Sequence, residues 1–476
     1  MAFMDASDRI TNDIVFLGAA GTVTGSRFLL RHGDKEVLVD AGLFQGPRAW
    51  RERNWDEFPL PLEHIEAVII THAHLDHIGY LPRLYRAGFR GPVYLTHTSA
   101  DLADIVLRDS AKLQVEDTEY ATKKGYSRHA DPQPLYDETD AEGVLTLLQT
   151  VNFFDPVHII DGVSAEFYPA GHILGSASVG VDFFGSRVLF SGDISGGDHP
   201  LLVGPTDIPS GKWNAVVLES TYGNRRHPIP DDSFDRAIAR TIDRGGTVVI
   251  PAFAVDRTEL VLLAIRDGIE RGTIPDVPVF VDSPMATKAM AIYAEAMARG
   301  DVDIRPEKHD PTVLNPGQLR LVTSVEGSKA LAHEKRCIII SASGMATGGR
   351  VMHHLKRLLP SPLNTVVLVG YQAVGTKGAQ ILGGAQSITI HGEDVTVAAE
   401  VVDVEGFSVH ADQQELLQWM VSADTPPEQV LLVHGEDDAR EGLAKALRNQ
   451  QGLHVVLPDY QQAITLGVWS KPENTP

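Results

Sequence analysis

Short apolar or alternating runs, broken by turn residues, fill the first 220 positions. DIVFLG, SRFLLR and KEVLVD, between residues 13 and 40, read as strands, with turn signals at GAAGTVTG and RHGD. GAAGTVTGS lies between strands and reads as a hairpin turn. EAVIIT is a further strand that runs into HAHLDHIGYLP, and residues 100–120 look helical. After the loop around HADPQP come VHIID, SAEFYPA, SASVGVDFF, RVLFSGD and NAVVLES, all strand-like. The texture changes near Tyr222. From there helical patterns alternate with apolar strands (GTVVIPAFA, DVPVFVDSP, CIIISASG, NTVVLVGYQ), the signature of a parallel open sheet covered by helices. Short strands return near residue 395. A helix, strand and helix follow at LLQWMV, QVLLVHG and AREGLAKALRNQ, and the tail KPENTP is expected to fray.

The 476 residues suggest two or three domains. A hydrophobic content of 43% with 22% charged residues excludes a disordered chain, a collagen and a coiled coil. Apolar runs fall well short of the roughly 18 residues that span a bilayer, so no membrane partner is expected. The start MAFMDASDRI carries Asp5 and Asp8 and lacks the basic-then-apolar pattern of a secretory signal. The single cysteine, Cys337, allows neither an intramolecular disulfide nor a thiolate metal cluster. A cytoplasmic location fits, and any metal must rest on histidine and carboxylate. The net charge of −22 argues against a basic coat for nucleic acid. Residues 225–400 nevertheless hold 20 basic and 20 acidic side chains, so a polyanionic partner should meet that segment and a local site.

The sharpest chemical signal is His72-Ala73-His74-Leu75-Asp76-His77 at a strand end. Residues two apart in an extended segment point the same way, so His72 and His74 can share one ion. Asp76 and His77 fall where the chain turns and can reach a second. Asp40 (LVDAG), His172 (PAGHILGS), Asp193 (FSGDIS) and His434 (LLVHGE) also end apolar runs. Singly each could be a cap; together with the histidine cluster they favour ligation. Bound zinc lowers the pKa of water from about 15.7 to about 7, and two ions roughly 4 Å apart can clamp both oxygens of a displacement. Histidine and carboxylate suit zinc, with manganese or iron as alternatives.

These residues resemble the metallo-β-lactamase superfamily and, within it, the β-CASP nucleases, a group that includes the cleavage-and-polyadenylation endonuclease and its bacterial and archaeal relatives. The resemblance covers nearly the whole chain. It implies an α/β fold: a metallo-β-lactamase αββα sandwich (residues 1–222 and 397–476) with an inserted β-CASP α/β domain (223–396) over the metal cleft. Asp40 matches the first motif, His72, His74, Asp76 and His77 the second, His172 the third and Asp193 the fourth. Glu219 (LESTYG), His410 (GFSVHAD) and His434 match the three motifs of the β-CASP members. The resemblance implies two zinc ions, one on His72, His74, His172 and Asp193, the other on Asp76, His77, Asp193 and His434. It also implies that His410, positioned by Glu219, protonates the leaving oxygen, with Asp40 and Asp76 completing the catalytic set. An acid is needed in any case, because a ribose alkoxide leaves poorly. DNA-directed members usually lack the histidine matching His434, so its presence implies an RNA substrate.

SASGMATGGR lies between a strand and a helical pattern, where backbone N–H groups of Ser343, Gly344 and Met345 are candidates to hold a substrate phosphate. GYQAVGTKG is a weaker candidate, and either stretch could be a plain turn. The basic pairs Arg225-Arg226, Lys335-Arg336 and Lys356-Arg357 could touch a nucleic-acid backbone or be solvated. The expectation is a zinc-dependent ribonuclease, alone, as a homodimer or in an RNA-processing complex. The alternatives are a thioester or lactone hydrolase, or a non-catalytic RNA-processing subunit.

Overall fold

The computed structural model describes residues 11–468 apart from 60, 125–131, 229–230, 371 and 373–374. The expected start and tail, and parts of the HADPQP and GYQAVGTKG loops, lie outside the described residues. The chain forms two compact units: one takes in residues up to His199, Val203–Arg226 and everything from Val409, the other Pro200–Leu202 and His227–Ser408.

Alternation of side chains builds the first unit. Val188 and Phe190 of the strand Ser186–Phe190 point into one core, while Leu189 between them points into another. The first core lies between two seven-stranded sheets. One sheet runs Ala463–Val468, Thr11–Phe16, Phe28–His32, Lys35–Val39, Ile65–Ile69, Val93–Thr96, Leu148–Val151. The other runs Val455–Val456, Val430–Val433, Ala215–Glu219, Ser186–Phe190, Ala177–Phe183, Val163–Pro169, Val157–Ile160. Helices cover the outer faces. Gln413–Val421 and Asp437–Gln451 pack Leu416, Leu443 and Leu447 on the second sheet, and His97–Lys124 lies against Val93–Thr96 of the first. This is the expected αββα layering.

The second unit holds a six-stranded, wholly parallel sheet: Leu319–Leu321, Val279–Val281, Ile338–Ser341, Val248–Pro251, Thr365–Leu368, Glu400–Asp403. Its central strands are buried at every residue, as strands covered on both faces must be. Helices Ser233–Asp243, Arg257–Arg271 and Pro284–Arg299 cover one face, and Arg350–Leu358 and Lys377–Leu382 the other. The unit extends past the expected junction at residue 396, because Glu400–Asp403 is hydrogen-bonded in parallel to Thr365–Leu368.

Candidate metal centre

The candidate residues cluster because parallel strands place their carboxyl ends at one edge of each sheet. Asp40 directly follows Lys35–Val39, whose neighbour Ile65–Ile69 leads two residues later into Thr71 and His72. Glu219 ends Ala215–Glu219 and lies opposite Val433, so His434 emerges beside it. Asp193 follows Ser186–Phe190, the strand next to Ala215–Glu219. Asp40 and His434 both adopt left-handed backbone, with φ of +58° and +48°. Non-glycine residues in that region cluster at functional sites. The turn bearing Asp76 is pinned by its carbonyl, which accepts the Ser26 N–H at 2.9 Å. Gly42 lies so close that a Cβ there would fall 1.6 Å from that same oxygen.

Two groups of facing ligand atoms result. His74 Nδ1 stands 3.1 Å from His72 Nε2 and 3.1 Å from His172 Nε2. Asp193 Oδ2 lies 3.6 Å from each of those two Nε2 atoms. In the second group, His77 Nε2 is 3.4 Å from His434 Nε2 and 3.4 Å from Asp193 Oδ1. His434 Nε2 is 3.3 Å from Asp76 Oδ2. Tetrahedral ligands held roughly 2.0–2.1 Å from a zinc ion stand about 3.4 Å apart. The spacing in both groups therefore suits a small divalent cation, and Asp193 borders both.

Protons alone satisfy this cluster poorly. His74 Nδ1 faces two imidazole nitrogens at once, and one proton bridges only one such pair. Asp193 Oδ1 and His172 Nδ1 are buried without a hydrogen bond. Burial holds the His72 and His172 imidazoles well below their ordinary proton affinity, helped by the neighbouring His77 and His410 respectively. Neutral imidazole is the form that ligates metal. Burial opposes the Asp193 charge, but His434 and His77 outweigh it and keep the carboxylate ionised well below the usual range. His77 differs. Burial disfavours its charge, yet Asp193 and Asp40 raise its proton affinity well above normal.

Around these groups sit residues that aim them. Asp40 accepts from the Thr71 N–H at 2.8 Å and the Thr71 hydroxyl at 2.9 Å, and its Oδ2 is 2.7 Å from His77 Nδ1. That contact fixes Nδ1 as the protonated nitrogen and turns Nε2 toward the cluster. Thr71 Oγ1 is also 3.1 Å from His72 Nδ1, and Thr221 Oγ1 is 3.2 Å from His434 Nδ1. Neither threonine was singled out from sequence. Thr71 had a signal, since it immediately precedes the histidine cluster; Thr221 had only its place two residues after Glu219.

His410 forms the third element. Its Nδ1 lies 3.1 and 3.2 Å from the two Glu219 oxygens, and 4.0 Å from Asp193 Oδ2. Glu219 is fully buried and also accepts the Ile194 N–H at 2.8 Å. The segment is anchored by the Ala411 N–H on the Ile194 carbonyl. A capping box then starts the next helix: Asp412 accepts from Gln414 and Glu415, and Glu415 accepts from Asp412. Burial disfavours charge on His410, but Glu219 outweighs it and raises the proton affinity above the ordinary histidine value.

All these residues belong to the first unit, whereas Ser343, Gly344 and Met345 lie in the second, between Ile338–Ser341 and the helix Arg350–Leu358. Ser343 Oγ accepts the Thr347 N–H at 3.1 Å. The arginine closing this stretch, Arg350, is occupied: it bonds Asp282 at 2.7 Å and the carbonyls of Val322 and Thr323. Of the basic pairs, Lys356 pairs with Glu393 at 2.7 Å and Arg225 lies over the Tyr222 ring.

Three family models match the chain: the metallo-beta-lactamase superfamily over residues 20–221, the Beta-Casp domain over 258–381, and the Zn-dependent metallo-hydrolase RNA specificity domain over 394–458. Ribonuclease TTHA0252 of Thermus thermophilus is 36% identical over 445 residues, 92% of this chain and 97% of that protein. Transcription termination factor FttA of Methanosarcina mazei is 32% identical, over 91% of this chain and 68% of its own length. The RNase J-like protein of Methanocaldococcus jannaschii is 33% identical over 78% of this chain and 82% of its own. A solved structure, a protein of unknown function from Enterococcus faecalis V583, shares the fold with a TM-score of 0.54 at 13% identity, covering 96% of this chain and 100% of that one. Fold and site together define a metal-dependent hydrolase. The chain belongs to the β-CASP branch of the metallo-β-lactamase superfamily.

Proposed function

We propose that the protein is a zinc-dependent ribonuclease that hydrolyses RNA phosphodiester bonds in RNA processing or degradation. The observation that carries this reading is the pair of ligand groups spaced 3.1–3.6 Å, with Asp193 belonging to one and bordering the other. The RNA-acting names of the relatives support the choice of substrate. His72, His74, His172 and Asp193 would hold one zinc ion, and Asp76, His77, Asp193 and His434 the other. When bound, two such ions supply Lewis acidity that activates water and neutralises charge on the phosphoryl group.

The remaining chemistry belongs to the chain. Attack at phosphorus forms one P–O bond and breaks the bond to a ribose oxygen, which departs with a proton. His410 donates it from Nε2, because Glu219 engages Nδ1 and favours the imidazolium. Asp40 and Thr71 hold His77 in the tautomer that presents Nε2. Ser343, Gly344 and Met345 contact a substrate phosphate through backbone N–H groups. The chain acts in the cytoplasm, as a homodimer or within a processing complex. Among the described residues no helix is long and apolar enough to cross a membrane.

The reading is tested by incubating purified protein with end-labelled RNA bearing either a 5′-phosphate or a 5′-hydroxyl and mapping the products. Asp193→Ala should abolish both zinc binding and cleavage. Full RNA cleavage by that variant, or turnover of thioesters with none of RNA, contradicts the proposal.

A further inference from the structure

In the second unit, helices leave neighbouring strands toward opposite faces. The chain leaves Val248–Pro251 for Arg257–Arg271 on one face. It leaves the two flanking strands, Ile338–Ser341 and Thr365–Leu368, for Arg350–Leu358 and Lys377–Leu382 on the other. Adjacent connections that part in this way open a crevice beyond the carboxyl ends of the strands, the usual ligand site of an open parallel sheet.

Phe253 stands at that point. It follows Val248–Pro251 by two residues and is 39% exposed, while Ala252, Ala254 and Val255 around it are buried. Its backbone is tied down, since the carbonyl accepts the Thr258 hydroxyl at 2.9 Å. The glycine-rich stretch after Ile338–Ser341 lies against the ring. A Cβ on Gly344 would fall 2.9 Å from Phe253 Cδ2 and 3.0 Å from its backbone nitrogen, so any larger residue there would push against the ring. Gln372 Nε2 bonds the Gly344 carbonyl at 3.2 Å and brings the third strand's loop into the same cluster. The carboxyl ends of these strands thus pair an exposed aromatic ring with a stretch of backbone already a candidate for a phosphate. A nucleotide has this form, a flat base beside its phosphate. Single-stranded nucleic acid is bound by stacking its bases on such rings, whatever their sequence.

We infer that Phe253 is a stacking platform for one base of a single-stranded RNA whose adjacent phosphate meets the 343–345 backbone. The inference rests on the ribonuclease reading above and adds a base-binding subsite to it. Stacking of this kind is worth roughly 5- to 150-fold in affinity per base by truncation.

The test is an abasic scan. kcat/KM is measured on a 12-nucleotide RNA and on versions lacking one base in turn, with wild type, Phe253→Leu and Phe253→Met. Wild type should show a position where base removal lowers kcat/KM by about 5-fold or more, chiefly through KM. In the folded Leu or Met variant that position should become indifferent to the base. An unchanged scan in either folded variant overturns the stacking role, as does a flat scan in wild type. If wild type cleaves no RNA at all, the ribonuclease reading fails first and the inference falls with it, an outcome distinct from the others.

Discussion

Replacing Asp40 by asparagine keeps the shape of the side chain and changes one thing, the capacity of Oδ2 to accept. In the native site Oδ1 takes the Thr71 N–H at 2.8 Å, while Oδ2 takes the Thr71 hydroxyl at 2.9 Å and lies 2.7 Å from His77 Nδ1. Asparagine can leave its oxygen on the Thr71 N–H only by turning its NH2 group toward His77. Two donors then face each other unless the imidazole shifts its proton to Nε2. That shift blocks the Nε2 lone pair with which His77 would bind an ion beside Asp193 and His434, whose facing atoms lie 3.4 Å from it. Loss of such an orienting partner lowers metal affinity by about 10- to 100-fold, or about 1.4–2.7 kcal/mol. Folding of the metal-free chain should lose less, about 1–2 kcal/mol, the difference between a charged and a neutral acceptor. Competition for zinc against a chromophoric chelator measures the first quantity and thermal melts in excess chelator the second. An Asp40→Asn protein with wild-type zinc affinity at every site would refute the idea that Asp40 acts by fixing the His77 tautomer.

His410→Ala should retain zinc yet slow RNA cleavage by about 10²- to 10⁴-fold, the usual worth of a general acid. A substrate with a thiolate leaving group should recover part of that loss, and no recovery at all would remove His410 from the role of acid. In the second unit, Asp282 is fully buried and bonds His354 at 2.6 Å, Ser328 at 2.5 Å and Arg350 at 2.7 Å. Burial raises its pKa, but those partners outweigh burial and hold it below the ordinary carboxylate range. The stabilisation is therefore present above the unfolded pKa of about 3.9 and is lost as pH falls through the lower folded value. Asp282→Ala should destabilise the unit by about 3 kcal/mol at neutral pH by removing the acceptor that His354, Ser328 and the Arg350 guanidinium share. The gap from wild type should close in melts taken below about pH 4, and a gap that widens there contradicts the sign. Gly42→Ala should disrupt the Asp76 turn and so weaken zinc binding; a variant with normal zinc content shows that the turn can relocate.

Much of this was legible in the chain because strands announce themselves by period and by turn residues. RVLFSGD alternates between two cores, and its aspartate falls where the strand must stop. Four ligand-type residues within six positions at 72–77 are hard to explain by packing. What stayed hidden depends on contacts between distant segments. Thr71 and Thr221 look like ordinary strand-end threonines until Asp40 and His434 arrive beside them. The strand Glu400–Asp403 carries three partly buried residues and one exposed, a weak local signal. It belongs to the inserted sheet only because Thr365–Leu368 offers it a parallel edge. Arg350, which follows two glycines, is spent on Asp282 from a distant strand end. Phe253 is one apolar residue in an apolar run, and its exposed ring shows only in the fold, where the connections around it part to opposite faces.

The central claim is met most directly by zinc-edge anomalous diffraction from crystals of the zinc-loaded protein. Two peaks are predicted: one among His72, His74, His172 and Asp193, and one among Asp76, His77, Asp193 and His434. Crystals with full zinc in solution but no peak at either group, or with peaks only on surface histidines such as His353 and His391, would contradict it.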